Sequence, residues 1–195
     1  MTAVPTADLT ALADVVRRCT ACAELAAART NVVVGDLQPG ARLLLVGEAP
    51  GADEDASGRP FVGRAGQLLD SLLRDVGLDR GELSVANVLK CRPPGNRAPT
   101  RAEVGNCRGW LYQQLRLLAP RVVVTLGGTA AAWAFGRGVR LADVRGRAHT
   151  LPGVPGPQVV PTYHPSAALR FGPKGEPRRL LRADLAYAAH LAAQG

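Results

Sequence analysis

Residues 42–70 read RLLLVGEAPGADEDASGRPFVGRAGQLLD, and the fold turns on where this stretch changes character. Arg42 to Val46 is short, aliphatic and bounded by Gly40 and Gly47, the pattern of a strand buried on both faces. Leu68, Leu69, Leu72, Leu73 and Val76 recur at helical spacing and stop at Gly77, which predicts an amphipathic helix. Between strand and helix lies an acidic loop, and residues 47–70 together hold five carboxylates and five glycines. A connection that only joined two elements needs neither feature.

The same unit recurs along the chain. Leu83–Leu89 predicts a second strand, followed by the loop CRPPGNRAPT and a helix opened by the capping pattern Thr100-Arg101-Ala102-Glu103. Arg121–Leu126 predicts a third strand, with Gly127-Gly128-Thr129 opening an alanine-rich helix. Gln158–Tyr163 predicts a fourth, followed by HPSAALR. A helix over residues 7–18 precedes these units, and a basic helix over residues 176–193, with Arg178, Arg179 and Arg182 on a solvated face, closes them. Alternating strands and helices imply an α/β fold with a mainly parallel sheet covered on both faces. Ligands of such sheets sit beyond the carboxyl ends of the strands, which selects the loops GEAPG, NVLKCRPPGNR, LGGT and YHPS.

The 195 residues, 47% of them apolar, suit one globular domain spanning 1–195. No apolar run is long enough for a membrane span, and Met1-Thr2-Ala3-Val4-Pro5 lacks the regions of a signal peptide, so a cytoplasmic protein is expected. The net charge of +8 points to a polyanionic partner such as nucleic acid. Lys90 and Lys174 are the only lysines, so nearly all of that charge is arginine.

Four cysteines are present: Cys19, Cys22, Cys91 and Cys107. In a cytoplasmic chain a Cys-x-x-Cys pair reads as metal or redox chemistry rather than a disulfide. Cys107 shares a helix face with Val104 and Leu111, so it points inward and can meet Cys91 and the N-terminal pair. Four thiolates fit a [4Fe-4S] cluster or a Cys₄ zinc site. The wide separation of Cys91 from Cys107 favours iron–sulfur over a zinc ribbon with two tight pairs, and unrelated buried cysteines are the remaining alternative.

Other residues are candidates by position. Gly47 and Gly51 permit close backbone approach, while Glu48, Asp53, Glu54 and Asp55 could serve a metal, a proton transfer or a cationic transition state. Phe61 offers a face for stacking a base; a solvated loop with a core phenylalanine is the plain alternative. Asn87 interrupts an apolar strand, so its amide is either satisfied by neighbouring backbone or reads a ligand edge. His164 follows a buried strand at the same sheet edge as Glu48, a setting that His149 and His190 lack.

Taken together, GEAPGADEDASGRPFVGRAGQLL, NVLKCRPPGNRAP, LGGTAA and HPSAALR, with the four cysteines, resemble the family 4 uracil-DNA glycosylases over roughly residues 10–190. The resemblance implies a three-layer α/β/α sandwich around a four-stranded, mainly parallel sheet, and a [4Fe-4S] cluster on Cys19, Cys22, Cys91 and Cys107. It also implies that Glu48 and the 48–49 main chain form the uracil pocket, that Phe61 stacks on the flipped base, that Asn87 reads its edge and that His164 lies near O2. Glu54 matches an acidic position important in the family. The catalytic candidates are therefore Glu48, Glu54 and His164.

Two positions depart from a better-known branch of the superfamily. Ala49 stands where that branch has a water-activating aspartate, and Gly51 where it has the tyrosine that excludes thymine. Ser166, Leu169 and Arg170 are expected DNA contacts, with Leu169 and Arg170 as a wedge entering the vacated base stack. The expected function is a monofunctional, monomeric glycosylase acting on uracil in single- or double-stranded DNA, with a structural cluster. With Lys90 and Lys174 the only lysines, and neither in GEAPG, LGGT or YHPS, Schiff-base chemistry is not expected. The rivals are a related protein that traps uracil DNA covalently, and a non-enzymatic iron–sulfur nucleic-acid module.

Overall fold

The computed structural model describes residues 8–136, 138–151 and 156–194; the expectation drawn from Met1–Pro5 lies outside them. The N-terminal segment holds α1 (Leu9–Arg17), whose first turn is capped by Asp8 accepting the Ala11 N–H at 2.8 Å, and a short α2 (Ala23–Ala28). The aliphatic run forms β1 (Leu43–Gly47), and the acidic stretch after it contains α3 (Ala52–Ser57) before the amphipathic α4 (Arg64–Asp75). Next come β2 (Ser84–Asn87), α5 (Arg101–Leu118), β3 (Val122–Leu126) and α6 (Gly128–Phe135). The chain ends with α7 (Leu141–Val144), β4 (His149–Thr150), β5 (Gln158–Thr162), α8 (Pro165–Phe171) and α9 (Glu176–Ala193).

The sheet has five strands in the order β2-β1-β3-β5-β4, the first four parallel and β4 antiparallel at the edge. The fifth strand departs from the four expected. Its two residues, half-buried and exposed, carry no periodic apolar signal, and pairing with β5 alone defines it. The acidic loop likewise differs in containing a helix.

Every residue of β1 and β3 is buried, because both faces of the sheet are covered. Alternation divides them between two cores: Leu43 and Leu45 pack with α4 and α9, while Leu44 and Val46 pack with α5 and α6. Full burial of each such leucine stabilises the fold by about 1.5–3 kcal/mol. Three layers result, with α1 attached through Leu12 and Val16 to Trp110 and Leu117 of α5. Register aligns the carboxyl ends: Gly47 pairs with Asn87 and Leu126 with Thr162. The loops beginning at Glu48, Val88, Gly127 and Tyr163 thus leave the sheet together. Among the described residues, no helix is long and apolar enough to cross a membrane.

Candidate active site and cysteine cavity

At this edge opens a cleft of about 360 Å³, lined by Glu48, Ala49, Pro50, Gly51, Glu54, Phe61, Asn87 and His164, with Pro93, Asn96 and Arg97 at its other side. A second recess of about 380 Å³ shares Glu48, Ala49, His164 and Ser166 with it and continues to Gly127, Gly128 and Arg170. The residues selected from four distant loops therefore meet in one place.

Asn87 ends β2 with only 2% of its surface exposed, and its Oδ1 has no hydrogen-bond partner among the described residues. A buried unpaired acceptor costs about 1–3 kcal/mol, and this one belongs to a residue that lines the cleft. Phe61 stands beside it. A Cβ on Gly47 would collide with both the Asn87 amide oxygen and the Phe61 ring, so only glycine lets the two walls close on β1. Phe61 itself is in the left-handed region, at φ 53°, which costs a non-glycine residue about 1–3 kcal/mol. Its ring lies 5.7 Å from the His164 ring, centroid to centroid, at a 37° tilt.

His164 is the N-cap of α8, and its Nδ1 accepts the Ser166 main-chain N–H at 3.1 Å. An N–H can only donate, so Nδ1 carries no proton and the Ser166 hydroxyl, 2.8 Å away, donates to it as well. The ring proton then sits on Nε2, on the ring edge turned away from α8. Burial pushes the His164 pKa down to about 4, against the opposing pull of Glu54, so the imidazole is neutral near pH 7.

The acids of the opening loop separate by their partners. Glu54 Oε1 accepts the N–H groups of Val62 and Gly63 at 2.9 Å each, and Oε2 accepts that of Gly51 at 3.0 Å, so both oxygens hold the loop together. Buried Asp55 accepts from Thr30 N and Asn31 N and ties the N-terminal segment to α3. Asp53 is exposed. Among the described residues Glu48 accepts from the Thr129 hydroxyl alone, through Oε2, and its side chain lines both the cleft and the second recess.

The expected DNA contacts lie on α8. Ser166 and Arg170 line the second recess, and Leu169 is 37% exposed. Phe171, 65% exposed, was not anticipated.

All four cysteines line a separate, small cavity of about 20 Å³ with Leu25, Arg29, Lys90 and Trp110. Three sulfurs meet N–H donors: Cys91 meets Arg29 Nη1 at 3.0 Å, Cys107 meets Lys90 N at 3.3 Å and Cys22 meets Asn106 Nδ2 at 3.5 Å. Burial pushes the Cys91 thiol up and the Cys107 thiol up to about 11, while Arg29 and Lys90 respectively pull the other way. Among the described residues, no three His, Cys, Asp or Glu side chains converge on a single-ion site.

Sequence reasoning counted Lys90 among the charges but gave it no place beside either site. It is fully buried between the two sites, its Nζ donating to the Asn87 carbonyl at 2.8 Å and to Gln114 Oε1 at 2.6 Å. Burial lowers its pKa to about 8, against Cys107 and Cys91, which raise it. Thr129 was placed in a motif without its partner Glu48. Glu54 had a legible signal, since Gly51 to Glu54 is the N-cap to N3 spacing.

The sequence profile of the Uracil DNA glycosylase superfamily matches residues 34–186. The chain is 44% identical to a type-4 uracil-DNA glycosylase of Thermotoga maritima over 87% of each sequence. It is 41% identical to one of Archaeoglobus fulgidus over 81% of this chain and 83% of that one. A type-5 uracil-DNA glycosylase of Pyrobaculum aerophilum is more distant, 35% identical over 68% of this chain and 63% of its own length. The chain therefore belongs to the uracil-DNA glycosylase superfamily, and within it to the type-4 uracil-DNA glycosylases.

Proposed function

We propose that the protein is a monofunctional DNA glycosylase that flips uracil out of DNA and hydrolyses its N-glycosidic bond, leaving an abasic site. The observation that carries this reading is the orphaned Oδ1 of Asn87 beside the Phe61 ring. Uracil presents an N3–H donor next to the O4 acceptor, which an Asn amide matches with one acceptor and one donor. Cytosine presents the reverse pair and would leave the buried amide opposed. Extrusion costs about a few kcal/mol, and stacking on Phe61 with edge pairing to Asn87 offsets it.

Cleavage moves the bonding electrons onto the base, where negative charge gathers on O2, and leaves an oxocarbenium-like sugar. The neutral His164, with its proton on Nε2, is a preorganised donor for O2, and the 48–49 main chain lines the same pocket. Glu48, with Oε2 held by Thr129, places Oε1 for a water and faces the cationic sugar. Glu54 has no oxygen to spare and serves by holding the loop. This division assigns to Glu48 the water that Ala49 cannot position. Ser166, Leu169 and Arg170 contact the strand.

Cys19, Cys22, Cys91 and Cys107 fit a [4Fe-4S] cluster. Four thiols ring one cavity without forming a single-ion site, and the nearby N–H donors suit thiolates. The cluster would act as a cross-link between the N-terminal segment and the β2–α5 unit of one domain, since bare buried thiols resist ionisation. A cytoplasmic monomer fits free thiols, and fits exposed large apolar side chains that number only Leu169, Phe171 and Tyr187 among the described residues.

The test is incubation with labelled single- and double-stranded oligonucleotides carrying one uracil, cytosine or thymine, followed by alkali and a denaturing gel. Cleavage of the uracil strands only after alkali is expected. Breakage without alkali would exclude a monofunctional enzyme. A denaturant-stable adduct would indicate covalent trapping, and an intact strand would leave a binding module.

A further inference from the structure

The strained Phe61 has to be held by something other than its own preference, and the arginine that reaches it is absent from the sequence motifs. The carbonyls on either side of its left-handed turn, Pro60 and Phe61, both accept from one guanidinium. Arg80 Nη2 donates to Pro60 O at 2.6 Å and Arg80 Nη1 to Phe61 O at 3.1 Å. The same Nη1 meets Asp70 of α4 at 2.7 Å, and Nη2 lies 3.6 Å from Asp36. Asp36 is tied in turn by paired main-chain hydrogen bonds to Val85, two residues before Asn87 on β2. Gly66, in the first turn of α4, lies so close that any Cβ there would strike the Phe61 carbonyl.

We propose that Arg80 is the positioning residue of the uracil site, a planar fork that fixes the Phe61 ring against the β2 strand carrying Asn87. Arg80 is absent from the cleft lining, so it acts through Phe61 and not on the base. A guanidinium suits the task because its several N–H groups are fixed in one plane. It can span two successive carbonyls and a carboxylate at once, which an ammonium on a flexible stem cannot. With the fork gone, Phe61 can relax out of the left-handed region and carry its ring away from Gly47 and Asn87.

The inference rests on the reading of Phe61 as the stacking platform, and a double-mutant cycle separates the two. Free uracil is used as an inhibitor of excision, and its inhibition constant is measured for the parent, Phe61→Ala, Arg80→Ala and the double variant, with melting temperature recorded for each. Arg80→Ala is expected to weaken uracil by roughly tenfold, mid-range for partners in one hydrogen-bonded network. In the Phe61→Ala background the same change is expected to have no further effect. Arg80→Lys keeps the charge beside Asp70 but loses the fork, and it keeps the test available if the alanine variant does not fold; uracil weakens there too.

Additive losses, or an unchanged uracil constant in folded Arg80→Lys, overturn the proposal. If Phe61→Ala weakens uracil while both Arg80 variants do not, the clamp alone is lost. If Phe61→Ala itself leaves uracil inhibition unchanged, the stacking reading falls and the clamp falls with it.

Discussion

The two concave regions lie on either side of Lys90 and are built on opposite plans. The cleft is wide and mixes charged and amide groups with apolar ones, and it holds a buried acceptor that nothing among the described residues satisfies. The cysteine cavity is small and walled largely by apolar side chains, and three of its sulfurs already meet donors. A site that must release its ligand after each turnover leaves its recognition groups unpaired until the ligand arrives. A site that keeps its ligand uses it as part of the core. Substitutions in the cleft should therefore change rates before stability, and substitutions in the cavity should do the reverse.

The largest expected effect is Asn87→Asp. The carboxylate replaces the donor facing O4 with a charge, and loss of one such preorganised group lowers the rate by about 10²–10³-fold. The Lys90 bond to the Asn87 carbonyl survives the change, so the loss of rate should far exceed any loss of melting temperature from the buried carboxylate. Single-turnover excision beside thermal melting checks this, and a large melting shift would blur the contrast between the regions.

Cys91→Ala is the converse. It should abolish the iron–sulfur absorbance and destabilise by about 2–5 kcal/mol, the range for losing a native cross-link. For a chain of this size that is roughly 10 °C in Tm. Uracil-DNA affinity, measured below the lowered Tm, should fall much less. Wild-type melting would refute the cross-link.

A sharper comparison lies within the cleft. Glu48→Gln should lower excision by about 10²-fold with little change in Tm, since only the Thr129 contact is altered. Glu54→Gln should lower Tm, because an amide cannot accept three main-chain N–H groups with the strength of a carboxylate. Reversed outcomes would exchange the two roles.

The smallest effect is in the pH profile. The pKa of His164 is lowered from its ordinary value near 6.5 to about 4, so the unfolded chain binds a proton that the native one refuses. Its contribution to stability is therefore full above about 6.5 and falls as pH drops from there toward 4. The excision rate should show no titration near 6.5, and an acid limb there that vanishes in His164→Gln would contradict a neutral imidazole.

The strands were legible because burial on both faces calls for aliphatic residues: β1 is a continuous run, β3 is broken only by Thr125, and the flanking β2 and β5 carry Val85-Ala86 and Val159-Val160 at their centres. Two-residue β4 has no such run. Helix α3 was hidden because six residues, ADEDAS, are too few to show a period. Asn87 and His164 were visible as chemical anomalies at strand ends, and Phe61 as an aromatic side chain in the acidic stretch before α4. The partners that give them meaning were not: Arg80 reaches Phe61 across 19 residues and Thr129 reaches Glu48 across 81. Nothing local distinguishes that arginine from the others of a chain so rich in them.

By itself the sequence determined which loops gather at the sheet edge, because strand pattern and crossover handedness leave little choice of topology. It also determined the chemical types available: the amides of Asn87 and Asn96, the imidazole of His164, the phenyl ring of Phe61 and several carboxylates, and in the chain as a whole four thiols. Only the tertiary structure decided which carboxylate oxygens are tied to main-chain N–H groups, which nitrogen of His164 accepts from Ser166 and which arginine reaches the carbonyls of Pro60 and Phe61. Those properties belong to hydrogen-bond partners, and partners are set by proximity in space, which the order of residues along the chain does not contain.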